Sequence, residues 1–205
     1  MTKKISFLFY LLSHPIAGYY ELRHRNEGSV FLALIMVALF SLSFSLNRIY
    51  ASFIVNNLDP RSVDSVRELA AVFLLFVLLC VGNWSITCLM EGEGRMKDIF
   101  TAVGYALTPM VLLTLPATLV SRFIGAYEEV FYYVLLAFAV VWTLILLMIG
   151  IMTIHNYTFG KTLVTLGLTF ISMIIIIFLA ALLVDLINQL YGFIYSIYME
   201  LLFRG

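Results

Sequence analysis

Charge is scarce in this 205-residue chain. Asp, Glu, Lys and Arg make up 12% of it and hydrophobic residues 63%, about half the charge of a water-soluble globular domain. No charged residue falls in the middle of any long apolar run. That absence speaks against a proton-driven pump or a voltage sensor, which need ionisable side chains inside the membrane. The formal net charge is zero, so there is no electrostatic footprint for nucleic acid. Cysteine is limited to Cys80 and Cys88. At helical rise they stand about 12 Å apart, too far to pair, and they read as small apolar residues. The three histidines, His14, His24 and His155, together with Glu91 and Glu93, match no metal-ligand spacing. Gly-x-Ser-x-Gly, His-Glu-x-x-His and P-loop motifs are all missing. The expectation is a non-enzyme without catalytic, cofactor or metal residues.

What is present is grease in helix-length pieces. An apolar surplus this large exceeds what one core can hide, so lipid must serve as the solvent. The runs 30–48, 69–90, 101–120, 130–154 and 163–184 each approach the roughly 20 residues that cross about 30 Å of hydrocarbon. The expected fold is an all-α integral membrane protein with five transmembrane helices in a domain over 29–185. Residues 1–28 read as N-terminal interfacial helices, interrupted at Pro15. Residues 1–13 resemble a signal peptide briefly, but His14-Pro15 stands where a cleavage site would be needed. Residues 186–205 are the harder segment. Leu186, Leu190, Phe193, Ile197 and Leu201 recur at helical spacing, so a sixth span has support. Asn188, Gln189, Glu200 and three tyrosines favour an amphipathic helix lying in the interface. No internal repeat argues for an inverted-repeat transporter.

Five crossings put the chain ends on opposite sides. Lys and Arg number seven on the N-terminal side and five on the other, counted over alternate loops. This bias orients the N-terminus cytoplasmic and the C-terminus extracytoplasmic.

The stretch Gly92–Pro116 is the most informative. It passes from a charged loop into an apolar helix carrying Gly104, Pro109 and Pro116. Two prolines seven apart are tolerable in a membrane helix, where neighbouring helices and Thr side chains satisfy the freed carbonyls. Pro109 should kink the third span. Gly104 and Thr108 should make a thin face for close helix approach. Asn83, Trp84, Ser85 and Thr87 in the second span, Thr101, Thr108 and Thr114 in the third, and Thr165, Thr169 and Ser172 in the fifth should bond across helices. His155 should cap the fourth span's end; alternatively, His155 and Tyr157 pack on the GEGRMKD loop as one recognition face.

Three features resemble the Yip1 family of membrane proteins. These are His14-Pro15 before the first span, the loop GEGRMKD after the second, and Gly104-Tyr105-Ala106-Leu107 with Pro109 in the third. The resemblance implies five closely packed spans with a cytosolic N-terminus. The long hydrophilic N-terminal domain of many eukaryotic members is missing, so the chain looks like a short bacterial member of a plasma membrane.

The expected function is a non-enzymatic subunit for assembly, accessory or trafficking-type roles. The alternative is a small-solute or lipid transport component, accessory to an ABC-type uptake system. The expected partners are the lipid bilayer and other integral membrane proteins, as hetero- or homo-oligomers, and not nucleic acid. The expected partner-binding residues are His14, Pro15, Glu91, Gly94, Arg95, Gly104, Tyr105, Pro109, His155 and Tyr157.

Overall fold

The computed structural model describes residues 2–25, 27–125 and 127–204, and among them there is no strand. Met1, Asn26, Ala126 and Gly205, which fall within the expected ranges 1–28, 29–185 and 186–205, lie outside the described residues. Two short helices open the chain, α1 (Thr2–Ser13) and α2 (Pro15–His24). Then come α3 (Val30–Tyr50), a 3₁₀ turn at Pro60–Ser62, α4 (Ser65–Leu89), α5 (Met96–Ala106), α6 (Thr108–Val120), α7 (Glu129–His155) and α8 (Phe159–Arg204). Five membrane-length apolar rods result, with α5 and α6 together forming the third.

Local chemistry sets the ends. Asp64 Oδ1 accepts from the amides of Val66 and Arg67, both at 3.1 Å, and so starts α4. Pro15 opens α2, where its missing N–H costs nothing. Asn156 closes α7 in the left-handed conformation (φ 55°), and the Tyr157 amide reaches back to the Met152 carbonyl at 2.9 Å.

The third rod breaks at Leu107, two residues before Pro109. Pro109 has no N–H to offer the Tyr105 carbonyl. The Thr108 hydroxyl donates to that carbonyl at 2.6 Å instead. The kink is therefore a satisfied one.

Helix α3 is the hub, packing on α4, α5 and α6. Its contact with α5 is close because Gly104 faces Ala33: a Cβ at position 104 would come within 2.6 Å of the Ala33 Cβ. The thin face is thus filled from within the chain. Helix α6 lies on α7, and α8 lies on α4. The N-terminal helices are more than a surface layer. Leu11, Tyr19 and Leu22 are buried in the same cluster as Tyr105, Leu146 and Ile154. Tyr19 rests on Gly150, and its burial raises the phenol pKa.

Most in-span hydroxyls do not bridge helices. Ser85, Thr101 and Thr165 donate to carbonyls four residues back in their own helices. In apolar surroundings that carbonyl is the nearest acceptor. Two asparagines carry cross-links, beside the Ser45 hydroxyl, which donates to Glu68 between α3 and α4. Asn83 donates to the Thr169 hydroxyl at 3.2 Å, joining α4 to α8. Asn47 donates to Thr118 at 2.8 Å and accepts from the Tyr132 hydroxyl at 2.9 Å, joining α3, α6 and α7.

The joint expected between residues 185 and 186 is absent. Helix α8 runs unbroken for 46 residues, about 69 Å. No Gly or Pro lies near the expected joint, and Gln189 donates to Asp185 across it at 2.8 Å.

Candidate docking face

The link between α4 and α5 is too short to be loose, and its glycines press it against the end of α7. Glu91 turns it with a left-handed backbone (φ 56°). The Gly92 amide then donates to the Thr87 carbonyl at 2.7 Å. A Cβ on Gly92 would sit 2.5 Å from His155 Nδ1 and 2.6 Å from the Tyr157 hydroxyl. A Cβ on Gly94 would sit 2.4 Å from Ile154 Cγ2. Both glycines are required by this close approach.

His155 is the keystone. Its Nδ1 accepts from the Gly94 amide at 3.2 Å. The neutral ring then carries its proton on Nε2, which is buried and has no partner within the described residues. Tyr157 stacks on His155 with ring centroids 5.3 Å apart and donates to the Met90 carbonyl at 3.1 Å. Burial is the main cause raising the Tyr157 pKa, with Cys88 and Glu91 adding to it. The Lys161 ammonium lies 4.5 Å from the centre of the Tyr157 ring, a cation–π arrangement.

Arg95 and Asp98 close the start of α5. The Arg95 amide and Nε both donate to Asp98 Oδ2, at 3.4 and 2.9 Å. The hydrogen bond to Asp98 and its charge raise the guanidinium pKa above its ordinary value. The N-terminal segment joins from the side, where Arg23 pairs with Glu93. That hydrogen bond and charge hold the Glu93 carboxyl below the usual range. Between these pieces lies a half-open cleft of about 350 Å³, lined by Tyr20, Arg23, His24, Glu93, Thr153 and Asn156 among others.

The ten sequence-derived residues therefore divide. Glu91, Gly94, Arg95, His155 and Tyr157 come together at one end of the bundle. His155 does not serve α7's own carbonyls; it bonds the loop, while Asn156 provides the helix stop. Gly104, Tyr105 and Pro109 are buried within the bundle. The Tyr105 hydroxyl accepts from the Ser29 amide at 3.1 Å. His14 and Pro15 form the corner between α1 and α2, where His14 stacks on Tyr10 and is exposed. Arg23, His24 and Asn156 were missed individually. Arg23 and Glu93 are 70 residues apart, and no local pattern links them. Asn156 carried a signal, since Asn directly after a long apolar run is a helix-stop residue.

These features define a polytopic α-helical membrane protein whose only elaborated polar relief among the described residues lies at its helix ends. Among them, no group of three or more His, Cys, Asp and Glu could hold a metal ion. The Yip1 domain family model matches residues 9–182, and the chain belongs to that family. No curated protein and no solved structure matched the chain.

Proposed function

We propose that this chain is a non-enzymatic subunit that holds other integral membrane proteins, using the loop end of its bundle as the docking face. One observation carries the reading: three segments far apart in sequence, 20–24, 93–95 and 153–157, are tied by an ion pair and a hydrogen bond around one partly polar cleft. A rigid surface costs less entropy to dock than a loose loop. The charge bias of the loops supports a cytoplasmic orientation for this end, and the resemblance to short bacterial members supports a plasma-membrane setting.

Co-purification from native membranes in mild detergent tests the reading. Wild-type chain should bring down a stoichiometric membrane partner. The paired variant His24→Ala with Thr153→Arg, which alters cleft-lining residues outside the Gly94–His155 lock, should lose the partner while inserting normally. Equal capture by both would overturn the docking role. Solute or lipid movement by the purified chain alone in liposomes would support transport instead.

A further inference from the structure

The two N-terminal helices descend along the bundle. Three contacts, taken in order, fix their direction. Arg23 pairs with Glu93 at the loop end. Tyr19 rests on Gly150, five residues before the end of α7 and about 8 Å below the loop. Leu12, just before the turn between the two helices, borders a small apolar cavity of about 90 Å³ together with Pro109, Leu112, Leu113 and Trp142. Trp142 is the middle residue of α7, about 20 Å from either end. Pro109 stands one residue from the middle of the third rod, Met96–Val120. The turn at His14-Pro15 therefore lies about halfway down rods that are long enough to cross the membrane.

The surface of this helix pair suits lipid. One side, with Phe7, Leu8, Leu11, Tyr19 and Leu22, is buried in the core of the bundle. The other side exposes Ile5, Phe9 and Ile16. A turn inside hydrocarbon must satisfy its own backbone, and this one does so within a single residue. His14 alone separates α1 from α2. Its N–H donates to the Tyr10 carbonyl, and its carbonyl accepts from the Gly18 amide, both at 2.8 Å. Pro15 brings no N–H to the turn. The Ser13 hydroxyl donates to the Tyr10 carbonyl at 3.0 Å and stands 3.0 Å from His14 Nδ1. Gly18 lets the chain fold back on itself: a Cβ there would lie 2.9 Å from Leu11 Cα.

We propose that Thr2–His24 is a re-entrant hairpin. Helix α1 enters the bilayer from the loop side, the chain turns near mid-membrane at His14-Pro15, and α2 returns to the same side. The outward face, with Ile5, Phe9 and Ile16, then meets acyl chains of the loop-side leaflet only. The charged ends agree with this path. Lys4 near the start of α1 and Arg23 near the end of α2 must both reach water or headgroups. The 12 residues of α1, about 18 Å, are enough to connect that level with the turn. Helices lying flat in the interface would hold Ile5 and Ile16 at one depth, whereas a hairpin holds them at two. The depth of the hairpin does not depend on whether the cleft at the loop end holds a partner.

Depth-resolved fluorescence quenching is the test. In a chain with Cys80→Ala and Cys88→Ala, Ile5→Cys, Phe9→Cys and Ile16→Cys are each labelled with a fluorophore. The labelled chains are placed in liposomes whose lipids carry a nitroxide either near the glycerol or at mid-chain. The mid-chain nitroxide should quench the label at Ile16→Cys several-fold more than the shallow one does. The order should reverse at Ile5→Cys, with Phe9→Cys between. In cells, Ser13→Cys should resist an impermeant thiol reagent from either side, while Lys4→Cys should react from the loop side. Stronger quenching by the shallow nitroxide at all three positions would put both helices in the interface and overturn the proposal. So would ready reaction of Ser13→Cys with the aqueous reagent. Reaction of Lys4→Cys from the side that exposes Ser62 would make the segment a crossing, and would overturn it as well.

Discussion

At the scale of single residues, polar groups in this molecule are few and each has a defined task. Gly94 admits its loop to within van der Waals range of Ile154 and His155. Gly94→Leu should overpack that contact and cost about 1–3 kcal/mol, read as earlier thermal unfolding in detergent. His155→Phe keeps the ring but leaves the Gly94 amide without its acceptor; a loss of about 1–3 kcal/mol is expected. The Arg23–Glu93 pair gives a pH dependence. Glu93 has its pKa lowered by its hydrogen bond and charge attraction to Arg23. Its contribution is therefore complete above the ordinary carboxylate pKa and fades as pH falls below it through the folded value. Acid unfolding of Glu93→Gln, compared with wild type, should show a smaller pH dependence only in that acidic range. An equal slope in both would remove the pair from the account.

At the scale of elements, the break between α5 and α6 is the instructive case. Pro109 withdraws a donor, and Thr108 supplies one. Thr108→Val should leave the buried Tyr105 carbonyl short of a partner, at about 1–3 kcal/mol. In a Pro109→Ala background the restored backbone N–H can take that carbonyl, so the same Thr108→Val change should cost distinctly less. A double-mutant cycle by chemical or thermal unfolding measures the coupling. Additive effects would mean that the two residues act separately. The kink itself was legible from Pro109 in an apolar run; its place, two residues earlier, was not, because it depends on which carbonyl the proline orphans. The N-terminal helices show the same division. Pro15 marks their boundary in the sequence. That Tyr19 lands on Gly150 and Arg23 on Glu93 is decided by packing between distant segments.

At the scale of the whole molecule, five rods make a membrane protein with its polar ornament at the ends. In a cysteine-free background, Ser62→Cys should react with an impermeant thiol reagent added outside intact cells, and Lys97→Cys only after permeabilisation. The reverse pattern would invert the orientation. The apolar runs, their lengths and the sparse charge determined by themselves that this chain lives in lipid, because burying so much grease in one water-facing core is impossible at 205 residues. Helix starts and stops were equally local, written in Asp64, Pro15 and Asn156. Only the tertiary structure decided that Asn47 ties three helices, that His155 serves the loop rather than its own helix, and that α8 continues past its expected end. Periodicity reports which face of a helix is apolar. It carries no record of which neighbour will meet that face, and in a chain this uniformly apolar nearly every face qualifies.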